Sequence, residues 1–214
     1  AEARRRLGLA AEPLVLLYVG VLDETHNLEA VVTAVSRLGD PGIELHVVGD
    51  GPRRGLYEQA TVGRPGRVVF HGRVPHERVP GWIAAADLCL APYDARAFAS
   101  GALGYATMKV PEYLAVGRPV ASVPSGRMQE LIRDGETGFL FESTAERWRR
   151  FLTYERPSRE RLRAMGEAAA ATPLPGWDDT ARGYLRHCER LVASARSGSV
   201  PVLDPHPDSS PGRF

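Results

Sequence analysis

Short apolar runs alternate with longer amphipathic stretches along most of this chain. Residues 14–19 (LVLLYV), 43–48 (IELHVV), 68–70 (VVF), 88–91 (LCLA) and 119–123 (PVASV) each predict a strand. The first is apolar throughout, as for a strand buried on both faces. Between these runs Leu28, Val31, Val32, Val35 and Leu38 recur at helical spacing, with Asn27 placed to cap the helix. Further helices are predicted over 53–60, 75–86, 108–116 and 129–133, and 138–141 reads as a short extended piece. Gly20, Gly49 with Gly51, and Gly117 mark turns between elements. Strands alternating with helices of this length predict an α/β fold, a Rossmann-like doubly wound parallel sheet. Ligands of such sheets bind beyond the carboxyl ends of the strands.

The last third changes character. Residues 144–151, 159–171 and 178–196 read as amphipathic helices with no strand between them, giving a cluster of C-terminal helices. Residues 197–214 are rich in Ser, Pro, Gly and Asp and read as a disordered tail. Residues 1–13 (AEARRRLGLAAEP) are charged and alanine-rich and precede the first strand.

Composition narrows the function. The chain has 214 residues, 43% hydrophobic and 25% charged, with a formal net charge of +1. That suits a globular domain with a sizeable core and gives no sign of a nucleic-acid partner. Cys89 and Cys188 lie far apart, and His46, His71, His76 and His187 are scattered without ligand spacing, so no metal is expected. No apolar stretch is long enough to span a bilayer and no leader is visible, so a cytoplasmic protein is expected. There is no G-x-S-x-G motif and no P-loop.

The chemistry concentrates in MKVPEYLAVGRPV, residues 108–120, behind the glycine-bearing loop 99–106. Arginine so outweighs lysine that Lys109 stands alone. A helix start offers free backbone N–H groups and partial positive charge to a phosphate, and Lys109 adds a full charge. Glu112, one turn on, can accept bonds from sugar hydroxyls. Diphosphate and ribose together describe a nucleotide. The plain alternatives are a solvated helix glutamate and an ordinary surface lysine.

The run Lys109, Glu112, Tyr113, Ala115, Gly117, Pro119, Val120 resembles the K-x-x-E-Y-x-A-x-G-x-P-V pattern of retaining GT-B glycosyltransferases of the family 4 type, in their C-terminal donor-binding domain. LLYVG (16–20), LHVVGDGP (45–52), VVFHGRV (68–74), AADLCLAP (85–92) and QELIRDGETGFLF (129–141) are similar to the family's segments in the same order. The resemblance implies that 14–196 is a nucleotide-sugar-binding domain, the C-terminal half of a GT-B fold. It makes 1–13 a linker from a missing N-terminal acceptor domain. Any membrane association would run through that domain. Family members often carry a tryptophan where Trp177 stands.

The same resemblance assigns residues. Glu112 would hold the ribose hydroxyls. Lys109, with the backbone of Ala106, Thr107 and Met108, would hold the diphosphate. Gly20 would admit a phosphate closely, and the backbone near Arg73 and Val74 would meet the base. Tyr105 would pack on sugar or base, or serve only as a loop aromatic. Arg53 or Arg54 would reach a phosphate, or be solvated. Met108 and Tyr113 are otherwise packing residues. Two departures stand out. The arginine and lysine that many relatives carry after the glycine are here Val21 and His26, so His26 must be protonated to replace a cation. A glutamate facing the donor sugar in many relatives is here Gly104. The implied function is transfer of a sugar from a nucleotide diphosphate sugar to an acceptor hydroxyl with retention. Lys109 and His26 would stabilise the leaving group, and no metal or other cofactor would be needed. The alternative is a non-catalytic nucleotide- or protein-binding module of the same fold.

Overall fold

Burial dictates how the strands align. In the computed structural model, which describes residues 2–94, 107–174 and 176–197, the two long apolar runs become β1 (Leu14–Val19) and β2 (Ile43–Val48). They pair in parallel, from Leu14 opposite Ile43 to Val19 opposite Val48. Nearly every side chain along them is buried, as for strands covered on both faces. With β3 (Arg67–Gly72), β4 (Leu88–Ala91), β5 (Val120–Ser122) and β6 (Gly138–Leu140) they form a parallel sheet of order β3-β2-β1-β4-β5-β6. Chain progression reverses between β1 and β4, which creates a topological switch point at their carboxyl ends.

The helices are α1 (Glu2–Leu7), α2 (Leu28–Leu38), α3 (Arg54–Thr61), α4 (Val79–Ala85), α5 (Lys109–Ala115), α6 (Met128–Leu131), α7 (Ala145–Arg150), α8 (Arg159–Ala170) and α9 (Trp177–Ser197). Leu28, Val31, Val32 and Val35 of α2 join Leu14, Leu16, Tyr18, Leu45 and Val47 of the sheet in one apolar cluster. Trp148 of α7 is buried in the same cluster, and its indole N–H donates to Ser143 Oγ at 3.0 Å. Helix α4 packs on β1, and α5 on β4 and β5.

Several boundaries differ from expectation for local reasons. The piece 138–141 pairs with β5 and becomes the sixth strand. β3 extends beyond its apolar centre because Arg67 faces Glu44 across the ladder and Gly72 still pairs with Val48. The helix over 75–86 opens as a 3-10 turn at His76–Arg78, since Pro80 has no N–H to donate back into that turn. Asn27 stands at the start of α2 but does not cap it. Its amide donates instead to the Ser143 carbonyl at 2.6 Å, and its backbone takes a left-handed φ of 40°. Helix α7 runs on through a π-helical turn at Phe151–Glu155.

The expected linker contains α1, which is tied down by Arg4. Its guanidinium reaches the Ala85 carbonyl at 2.9 Å, Pro13 at 3.1 Å and Asp87 at 2.5 Å. Those partners are what make a buried guanidinium tolerable.

The chain divides into two compact units, Ala1–Pro173 and Leu174–Phe214. The second contains α9, where the Asp179 carboxylate accepts from the Gly176 N–H at 2.8 Å, half of a capping box. Trp177, Tyr184, Leu185 and Val192 are exposed on it. Of the expected tail, 198–214 lie outside the described residues. Among the described residues no helix is long and apolar enough to cross a membrane.

Candidate functional site

The loop after β1, the loop after β4 and the start of α5 converge at the switch point. Gly20 ends β1 with φ 150°, and its N–H donates to Val48 at 3.0 Å. A side chain there would collide with Lys109: a Cβ would sit 2.7 Å from Nζ. Glycine thus makes room for the lysine ammonium. A Cβ on Gly49 would come within 1.9 Å of the Gly20 carbonyl, so the turns after β1 and β2 lie backbone to backbone.

Lys109 is the only lysine in the chain. Its Nζ donates to Tyr18 Oη at 3.3 Å and lies 4.4 Å from the Tyr18 ring centre and 5.3 Å from that of Tyr93. The aromatic walls attract the cation through their π faces but do not replace its water. Burial therefore pulls the Lys109 pKa down to about 7, against the opposing pull of Asp23 and Glu112.

His26 shares this cage. Its ring centre is 5.2 Å from that of Tyr93 and 6.2 Å from that of Tyr18. Nδ1 lies 2.7 Å from Asp23 Oδ1. Burial and the Lys109 charge hold its pKa below the usual histidine value, while Asp23 works the other way. Asp23 is itself anchored. Its Oδ1 accepts from the Thr25 N–H at 2.9 Å and the Thr25 hydroxyl at 2.8 Å, and Tyr57 donates to its carbonyl at 3.0 Å. Burial raises the Asp23 pKa, but the bonds from His26 and Thr25 outweigh that and leave it lowered.

The remaining expected residues are distributed around this centre. Thr107 is buried and its hydroxyl lies 2.6 Å from Tyr93 Oη, which ties the start of α5 to the β4 loop. Tyr113 is a packing residue as expected, and it also clamps β1: the Val19 N–H donates to its hydroxyl at 2.9 Å. Met108 is not packed; it is 55% exposed, one residue before α5 begins. Val21 is likewise exposed, at 52%. Glu112 is half-buried on α5, and among the described residues its carboxylate has no hydrogen-bond or ion-pair partner. Arg53 is engaged with Glu24 at 3.7 Å and Glu29 at 3.8 Å, and Arg54 with Glu58 at 2.7 Å. Arg73 is exposed and Val74 half-buried beyond β3. Gly104, Tyr105 and Ala106 lie outside the described residues.

Sequence reasoning missed Asp23, Tyr18 and Tyr93. Asp23 and His26 sit three residues apart in a loop, a spacing with no helical or strand meaning until the loop closes. It also missed a second cluster. His46 Nε2 lies 3.0 Å from Glu44 Oε2, and its Nδ1 lies 2.9 Å from His71 Nε2. Arg67 pairs with the other Glu44 oxygen at 3.0 Å, and Trp82 covers the His71 ring at 4.1 Å between centres. Among the described residues no group of three His, Cys, Asp or Glu is arranged to hold a metal ion.

Known proteins share this architecture. Residues 13–152 match the family described as glycosyl transferases group 1. The chain is 33% identical over 199 residues to the D-inositol 3-phosphate glycosyltransferase of Nocardia farcinica, covering 86% of this chain and 42% of that protein. It thus spans less than half the length of such relatives. Sucrose-phosphate synthase from Thermosynechococcus elongatus superposes with a TM-score of 0.67 at 26% identity, over 90% of this chain and 49% of its own. Anabaena HepE, solved in complex with UDP-glucose, superposes at 0.65 and 22% identity over 79% of this chain and 46% of its own, a likeness of fold.

Proposed function

The chain belongs to the glycosyl transferases group 1 family, and from that premise we propose that it is the donor-binding half of a GT-B glycosyltransferase. A nucleotide diphosphate sugar binds at the β1–β4 switch point. One juxtaposition carries this reading: the Lys109 ammonium tucked against Gly20, at the crevice where a doubly wound sheet binds its ligand. Lys109 and the backbone of Thr107 and Met108 meet the diphosphate. Glu112, whose carboxylate has no partner among the described residues, takes the ribose hydroxyls. The segment of Arg73 and Val74 meets the base. The family resemblance adds Tyr105 and the backbone of Ala106 to the donor contacts. Arg53, already between two glutamates, is a reserve contact.

In the reaction the bond from the anomeric carbon to the diphosphate oxygen breaks, and an acceptor hydroxyl forms a new bond to that carbon with retention, its proton passing to the departing diphosphate. Charge gathers on the departing diphosphate, and Lys109 and His26 stabilise it there. Basic groups do this work, with no metal needed. The names of the curated relatives make D-inositol 3-phosphate the acceptor to try first, and the HepE complex makes UDP the nucleotide to try first. Binding of the acceptor belongs to a preceding domain, so this chain alone transfers little or no sugar. The enzyme works in the cytoplasm.

Calorimetric titration of the chain with UDP, GDP and ADP tests the reading. One nucleotide should bind, and Glu112→Ala should weaken it by about 1–3 kcal/mol, the cost of losing bonds to a charged group. A binding nucleotide indifferent to Glu112→Ala would move the ribose elsewhere. A second reading, a non-catalytic module, is favoured by the exposed apolar Val21 where many relatives carry arginine. A large gain in nucleotide affinity on combining Val21→Arg with His26→Lys would support it.

A further inference from the structure

We propose that Asp23 is a positioning residue of this pocket, holding His26 by one ring nitrogen so that the pocket takes up a proton from solvent as the diphosphate enters. The inference rests on the donor-site reading above and adds a regulation to it: donor binding is linked to pH.

The argument starts from hydrogen-bond inventory. Asp23 Oδ1 is fixed by the Thr25 N–H and hydroxyl and by the His26 N–H at 3.2 Å, and it lies 2.7 Å from His26 Nδ1. A carboxylate only accepts, so the ring proton of a neutral His26 belongs on Nδ1. Nε2 is then a lone pair, and among the described residues it has no hydrogen-bond partner. Phosphate oxygens are also lone-pair acceptors. Nε2 and an incoming diphosphate repel until Nε2 gains a proton, after which it donates a charge-assisted bond.

The second base of the cage behaves alike. Lys109 and His26 stand under the same two rings, Tyr18 and Tyr93. Among the described residues, the titratable groups facing the pair are Asp23 from the β1 loop, Glu112 from α5 and the phenols of Tyr18 and Tyr93, with Tyr57 behind Asp23. Asp23 is thus the carboxylate that acts on both bases, of which Lys109 repels the charge of His26. Burial keeps both bases below their ordinary pKa, so the empty cage does not hold two full cations near neutrality. A diphosphate reverses that balance by favouring the protonated forms. The step is a simple one, an N–H bond formed with a proton drawn from the solvent.

UDP-glucose, GDP-mannose and ADP-glucose are suitable probes, because their diphosphate stays fully ionised on both sides of neutrality. Each is titrated into the chain by calorimetry in buffers of different ionisation enthalpy. We expect a binding heat that depends on the buffer, corresponding to uptake of roughly one proton, and an affinity that falls by up to about tenfold per pH unit above neutrality. His26→Gln supplies an amide N–H that can still reach Asp23 but cannot titrate, and should lose part of the uptake. Asp23→Asn keeps the acceptor but loses the charge, and should move the decline to lower pH. A merely structural role would weaken binding equally at every pH. Circular dichroism shows that each variant folds, and His26→Gln decides alone if Asp23→Asn does not. Binding with buffer-independent heat and a flat pH profile overturns the inference and leaves the donor site standing. Full uptake retained in His26→Gln overturns the role of Asp23 and His26. Absence of binding by all three probes overturns the donor site and this inference together.

Discussion

Two histidines in this molecule sit beside a carboxylate, and the rest of their surroundings makes them opposites. His46 has both ring nitrogens engaged, one with Glu44 and one with His71, while Arg67 takes the other Glu44 oxygen. That network ties β2 to β3 and needs nothing further. His26 has one nitrogen on Asp23 and no partner for the other among the described residues, and its neighbour is a desolvated lysine. Both clusters carry the cost of burying polar groups. Only the second leaves that cost to be offset by something that arrives. A completed buried network holds a fold together, whereas an incomplete one at a switch point is where a ligand belongs.

The largest test of this contrast is Lys109→Met. Removing the cation should weaken nucleotide-sugar binding by about 2–5 kcal/mol, the usual loss for a desolvated charge partner. The same change should raise the melting temperature at neutral pH. The folded pKa of Lys109, about 7, lies below the ordinary lysine value of about 10.4. Between those values the unfolded chain binds the proton more strongly, so Lys109 destabilises the fold there and loses that effect only as pH rises towards 10.4. A variant that binds as before, or melts lower, breaks the comparison on the ligand side.

Glu44→Ala should do the reverse. It leaves His46 and Arg67 without their carboxylate and should cost about 1–3 kcal/mol of stability in chemical denaturation. Affinity for the nucleotide sugar should change less than about twofold, because this cluster meets no ligand. A smaller effect comes from acid. Burial lowers the pKa of His46, and that of His71 to about 4. Both therefore protonate less readily in the folded chain than in the unfolded chain, which takes up protons below about pH 6.5. Their contribution is therefore complete above that pH and is lost as pH falls from there towards 4. Allowing for the partial exposure of His71, thermal melts should record a loss of about 1–2 kcal/mol, and His71→Gln should remove part of it.

Much of this arrangement was legible in the sequence. β1, β2 and β4 coincide with their apolar runs, because a strand buried on both faces must be apolar along its whole length. Lys109 and Gly20 stood out because a helix start and a glycine turn are local features. What was not legible depends on distant contacts. His46 and His71 meet only through the parallel pairing of β2 with β3, whose register shifts between Val47 and Val48. Tyr18 reads as one more apolar strand residue until Lys109 lands on it. Arg53 looked free for a phosphate, but the fold of the β1 loop brings Glu24 and Glu29 to it.

Because Lys109 is the only lysine, one measurement reaches the centre of the site directly. Protein labelled with carbon-13 lysine gives a single lysine side chain whose Cε resonance can be followed through a pH titration, first alone and then saturated with a binding nucleotide sugar. A midpoint near 7 in the empty chain, moving upward when the nucleotide sugar binds, is the behaviour of a caged amine that becomes a full cation for an incoming diphosphate. A midpoint near the ordinary lysine value of about 10.4, unmoved by ligand, would mean that Lys109 is a solvated surface cation and that the cage of Tyr18, Tyr93, His26 and Asp23 does not tune it.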